Sequence, residues 1–163
     1  KLSNGEKLPT LEKYLKQGKK SKQVKLIVEI KPAKTPELED EMVIKTLKMI
    51  RDKSLENQCE FISFSLHLCK EIKRQNPKAI VQYLAGDLSP SDIKNAGIDG
   101  LDYHYSVFLD KHPDWILEAK KLGLITNVWT VNDEVIFKKL ADLGVGFVTT
   151  NEPDAFEIVY CKF

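Results

Sequence analysis

Apolar positions along the chain switch repeatedly between a strand period and a helix period. Val24 to Pro32 reads VKLIVEIKP, with four apolar residues in the five positions Leu26 to Ile30, on both side-chain parities. A strand apolar on both parities is predicted to be buried on both faces, as a parallel strand between helices is. Glu29 and Lys31 interrupt its end two residues apart, hence on one side, and Pro32 stops the ladder. Charges fit there only where the strand leaves the core. Two readings stay open: an ion pair that closes the strand, or chemistry at the carboxyl end of a parallel strand.

Elsewhere the pattern becomes regular. Thr10 to Leu15 predicts a short amphipathic helix ending near Gly18, and Thr35-Pro36 opens a helix that runs to about Lys53. Strands are predicted over Phe61–Ser65, Ala79–Leu84, Gly100–Tyr105, Leu124–Val131 and Gly146–Asn151. Helices follow over Leu66–Gln75, from Ser89 to Gly97, over Pro113–Lys121 and Asn132–Leu143, with a last one over Pro153–Tyr160. Ser89-Pro90-Ser91-Asp92 carries a capping-box pattern. After the first strand the repeat is about twenty to twenty-four residues, short for a strand–helix unit but workable. A leucine-rich solenoid shares that period, but no L-x-x-L-x-L frame recurs.

Same-side polar pairs mark the strand ends: Glu29 and Lys31, Ser63 and Ser65, Asn127 and Trp129, Thr149 and Asn151. That is the expected mouth of a (β/α)8 TIM-type barrel, which needs eight strands and typically about 250 residues. The sequence supplies six units in 163 residues, so the expectation is one α/β domain forming an incomplete barrel.

Composition changes little. A net charge of +1 argues against a nucleic-acid binder, although Lys1 to Lys34 holds ten lysines. Lys19-Lys20-Ser21-Lys22 reads as a solvated helix end. Cys59, Cys69 and Cys161 define neither a disulfide framework nor a zinc site and are expected as core thiols. No apolar run reaches the length of a membrane span, and no signal peptide is recognised. The chain begins at Lys1 rather than Met, so an upstream segment is expected to have been removed.

Five segments together resemble the glycerophosphodiester phosphodiesterase family: Asn4-Gly5-Glu6 to Leu15, Val28-Glu29-Ile30-Lys31, Phe61 to Ser65, Asn127 to Asn132 and Gly144 to Pro153. The resemblance implies a (β/α)8 barrel that hydrolyses glycerophosphodiesters to glycerol phosphate and an alcohol with Ca2+ or Mg2+. It implies that Glu29 is a metal ligand, that Lys31 lies near the substrate phosphate, and that Trp129 lines the glycerol side of the pocket. The family's His-Arg pair, its Glu-x-Asp and its His-Asp pair have no counterpart here. They carry both acid/base histidines, so no catalytic pair is expected in this chain. His104 shares a strand side with Asp102 and reads either as a pocket residue or as a hydrogen-bonded core histidine. His67 and His112 read as helix-end residues, Tyr83, Tyr103 and Tyr105 as packing, and Trp129 without the resemblance as core.

Three functional expectations remain: a phosphodiesterase lacking its amino-terminal part, a naturally shortened non-catalytic binding or scaffold unit, or a barrel enzyme using Lys31 as a Schiff base. Glu29 beside Lys31 favours the protonated amine and counts against the third. An incomplete barrel leaves open strand edges, so self-association or pairing with the absent amino-terminal piece is expected.

Overall fold

The structure, a computed structural model, describes residue 3 and residues 5–154. Cys161 and nearly all of the predicted last helix lie outside the described residues, as does Asn4 of the first family segment.

Helix α1 (Leu11–Gly18) leads into β1 (Leu26–Glu29), followed by α2 (Pro36–Asp52), β2 (Cys59–Ser63), α3 (Leu66–Gln75) and β3 (Val81–Tyr83). The alternation continues through α4 (Pro90–Asn95), β4 (Gly100–His104), α5 (Trp115–Lys121), β5 (Ile125–Trp129), α6 (Glu134–Asp142) and β6 (Phe147–Val148). Thr35 and Ser89 start their helices as the sequence predicts, and Ser65, read as a strand end, does so too: each side chain accepts the N–H three residues on. Thr10 and Asp133 do the same for α1 and α6.

All six strands are parallel and neighbour one another in chain order. Sequential parallel order with a helix in each connection gives a partial (β/α)8 barrel of six strands. Its helix-facing side is the core. Leu26, Val28, Phe61, Val81, Leu101 and Val128 are buried beneath Val43, Ile50, Leu68, Ile72, Ile116 and Leu140. Each such side chain contributes roughly 1.5–3 kcal/mol.

One expectation needs correction. β1 is buried on a single face: Leu26 and Val28 point under α2, while Ile27 is 42% exposed and Glu29 is open. The inner face of β1 looks into a barrel interior that six strands enclose only in part. Among the described residues β1 pairs with β2 alone and β6 with β5 alone, so each has one open edge.

Another feature escaped the periodicity. A π-helical turn at Val107–Lys111 follows β4, and α5 starts at Trp115 rather than Pro113. The turn buries Phe108 against Tyr103, ring centroids 5.8 Å apart, and His112 stacks on Trp115 at 3.8 Å. Tyr103 is fully buried, and its hydroxyl donates to the Leu88 carbonyl at 2.9 Å.

Gly100 sets the spacing between β4 and β5. A Cβ there would lie 2.5 Å from the Ile125 carbonyl oxygen and 2.8 Å from its Cβ. Backbone cannot yield as a flexible side chain can, so Gly100→Ala is expected to destabilise the fold by about 1–3 kcal/mol. Urea unfolding checks this; an unchanged midpoint would show that the two strands separate freely.

Candidate active-site opening

The carboxyl ends of the strands surround a cavity of about 260 Å³. Glu29 and Lys31 stand on one side, Asp102 lies in the floor, and Ile62, Phe64, Leu84 and Trp129 supply apolar wall, with Thr130 and Thr149 completing it. A cleft of similar size at Ser54, Asn57 and Lys78 belongs to the amino-terminal ends of β2 and β3, the end of a barrel associated with stability.

Lys31 Nζ donates to Glu29 Oε1 at 2.8 Å, the same-side pairing that the sequence predicts. The lysine side chain is 76% exposed. An ion pair this open stabilises by about 0–1 kcal/mol, so it does little to hold the strand end closed. Its position has another support. Glu39 of α2, buried, accepts the Ala33 N–H at 3.1 Å and the Ser65 hydroxyl at 2.9 Å. Ser63 Oγ donates to the Ile30 carbonyl at 2.7 Å and accepts the Ser65 N–H at 3.1 Å. These bonds tie the loop carrying Lys31 to the start of α3. Ser63 and Ser65 are thus braces behind the site and not part of its mouth; Phe64, between them, faces the cavity.

Trp129 stands in the wall. Its indole N–H donates to the Asp102 carbonyl at 2.9 Å, and its ring meets Phe64 and His104 edge-on at 5.8 and 5.1 Å. His104 is half-buried, stacked on Tyr105 at 4.4 Å, and borders the cavity through Trp129. Its Nδ1 receives the Ser106 backbone N–H at 3.3 Å and lies 2.8 Å from the Ser106 hydroxyl. A backbone N–H can only donate, so the neutral ring carries its proton on Nε2. His67 pairs with Asp40 on the surface at 2.7 Å.

Asp102 is the residue that sequence reasoning undervalued. It is 1% exposed, and its Oδ1 has no hydrogen-bond partner. Burial, reinforced by the nearby charge of Glu29, pushes its carboxyl up to about 7. The alternation Gly100-x-Asp102-x-His104, with apolar Leu101 and Tyr103 between, put Asp102 and His104 on one side of the strand, and that polar side is the signal that could have found it. Leu84 and Phe64 gave no such signal, since an apolar residue at a strand end has no distinguishing chemistry. Cys59 and Cys69 are buried as expected, and burial raises their thiols to about 11 and 12, which leaves no thiolate for nucleophilic work.

A hard divalent cation takes six or more oxygen ligands for Ca2+, and close to octahedral geometry for Mg2+. No three His, Cys, Asp or Glu side chains converge among the described residues. The donors here do not make a complete cation site, and Glu29 is at most one ligand of one.

Fold and opening together define a barrel protein with a charged, half-apolar mouth at the carboxyl ends of its strands. Residues 1–155 match the glycerophosphoryl diester phosphodiesterase family model, and the chain belongs to that family. Among solved structures, it is similar to a glycerophosphodiester phosphodiesterase from Parabacteroides distasonis, with 44% identity and a TM-score of 0.93. That match covers 96% of this chain and 66% of the other. A phosphodiesterase from Oleispira antarctica, solved in complex with the product sn-glycerol-3-phosphate, is similar at 22% identity and TM-score 0.78, covering 92% and 60%. A glycerophosphodiester phosphodiesterase from Thermotoga maritima matches at 21% and 0.70, covering 92% and 63%. The last two bear on the fold alone. The chain thus spans less than two thirds of the length of each. No curated protein matches the chain.

Proposed function

We propose that the 163 residues are the carboxy-terminal portion of a phosphodiesterase barrel and form one side of a site that hydrolyses glycerophosphodiesters to glycerol phosphate and an alcohol. Lys31 faces the phosphate and offsets charge developing on its oxygens. Glu29 contributes one carboxylate to a divalent ion, Ca2+ or Mg2+, whose other ligands lie outside the described residues; such an ion supplies further neutralisation of phosphoryl charge. Trp129 presents an apolar face to the carbon skeleton of glycerol. The observation that carries this reading is the convergence of Glu29, Lys31 and Trp129 on one opening at the strands' carboxyl ends.

Lys31→Ala in the intact enzyme is expected to lower kcat/KM for glycerophosphocholine by about 10²- to 10³-fold, read by release of glycerol 3-phosphate. Activity within twofold of the parent would remove Lys31 from the site. The absence of a three-ligand cluster among the described residues favours a second reading for the chain alone, a binding unit without turnover. Accordingly the 163 residues are expected to release no glycerol 3-phosphate with either cation, and turnover by them would mean that the acid/base groups lie in this chain.

The open edges of β1 and β6 are the physical ground for a partner. A second copy, or the piece that completes the barrel, would cover exposed Ile27 and Phe147. A dilute, well-folded monomer in light scattering, with no second polypeptide on a gel, counts against such pairing.

A further inference from the structure

We propose that Asp102 is a specificity-determining residue of this opening, whose carboxyl takes a hydroxyl of the polyol half of a phosphate ester while Lys31 takes the phosphate. The proposal rests on the reading of the opening as a phosphodiester site, and goes beyond it by assigning what the cavity floor recognises.

Four acidic side chains are buried among the described residues: Glu39, Glu60, Glu71 and Asp102. Three of them have partners that explain them. Glu39 accepts from Ala33 and Ser65, Glu60 faces Lys25 Nζ at 3.5 Å, and Glu71 receives Arg74 and Gln75 at 2.6 and 2.8 Å. Asp102 is the most buried of the four, and its Oδ1 is left without a donor. A buried carboxyl oxygen is costly to leave unpaired, so a purely structural aspartate would have acquired a partner as the glutamates have.

Its neighbours do not supply one. Asn127, directly across the β4–β5 ladder, has an unpartnered Oδ1, and Gln82 on β3 has an unpartnered Oε1. Three adjacent strands therefore carry buried side-chain oxygens that no hydrogen bond satisfies. Asp102 alone of the three lines the cavity, between Glu29 and Trp129. The Trp129 indole is fixed beside it by the bond to the Asp102 carbonyl, so a carboxyl oxygen stands next to an aromatic wall. Hydroxyl donors on a carbon skeleton match that pairing: the apolar wall meets C–H, and the acid meets O–H. An ester with no hydroxyl leaves the floor unsatisfied, and a site built to bond a hydroxyl rejects the analogue lacking it.

The test is binding by the 163-residue chain, followed through the Trp129 indole N–H resonance, of three probes: glycerol 3-phosphate, propyl phosphate and inorganic phosphate. The unaltered chain is expected to prefer glycerol 3-phosphate to propyl phosphate by about tenfold or more. Asp102→Val is expected to reduce that preference to within twofold and to leave inorganic phosphate unchanged. Equal affinity of the unaltered chain for the two esters overturns the proposal even if the variant does not fold. A preference retained in the folded variant overturns it too. Failure of the unaltered chain to bind any of the three overturns the phosphate-site reading itself, and the proposal with it.

Discussion

Glu29→Gln in the intact enzyme is expected to lower kcat for glycerophosphodiester hydrolysis by about 10³-fold or more while leaving thermal stability nearly unchanged. The substitution keeps shape and removes charge. Stability is spared because Glu29 is a third exposed and Lys31 mostly exposed, so their pair contributes no more than about 1 kcal/mol. Activity is lost because the carboxylate would hold the divalent ion that neutralises phosphoryl charge, and a neutral amide is a far weaker ligand for a hard cation. Steady-state kinetics and a melting curve on the same preparation separate the two readings of this residue. An ion pair that merely closes β1 would show a lower melting temperature with full activity, and that result ends the catalytic assignment.

The second large effect concerns pH and Asp102. In the folded chain its carboxyl keeps the proton up to about pH 7, because it is buried and faces Glu29, with Lys31 on the same rim; unfolded, it ionises near 3.8. Between those values the folded state binds more protons than the unfolded state, so stability falls as pH rises and levels off above about 7. The slope belongs to one group and amounts to roughly 4 kcal/mol across the window. Asp102→Asn cannot titrate. Its urea midpoint is expected to be flatter between pH 4 and 8 than that of the unaltered chain, so the variant gains relative stability on the alkaline side. Parallel curves for the two proteins would mean that water reaches the carboxyl and that the floor is not closed.

The two effects draw on neighbouring parts of the same cavity. Glu29 is accessible and charged, so its replacement touches chemistry more than folding. Asp102 is enclosed and unpaired, so its replacement is read in the stability curve as well as in ligand choice. Neither behaviour is available to Ser63 or Ser65, whose hydroxyls are committed to bracing the loop after β1.

Local pattern settled a great deal. Apolar runs separated by Thr, Ser and Gly signals located the six strands and the helices between them, because caps and periodicity act over a few residues. Side-chain alternation also put Glu29 and Lys31 on one side of β1, and Asp102 with His104 on one side of β4, since the period of two is a property of any strand. Which side that was depended on contacts distant in sequence. β1, apolar on both parities, was expected to be enclosed, yet Ile27 looks into an interior that six strands leave open. The Ser63–Ser65 pair had the right spacing for the mouth but the wrong parity, because α3 and the Ile30 carbonyl claimed those hydroxyls. Asp102 stood out only after the other buried acids were seen to have partners. Pairing is a matter of which side chains the barrel brings within three ångströms, and residues as far apart as Glu39 and Ser65, or Asp102 and Trp129, meet only when the strands are laid side by side.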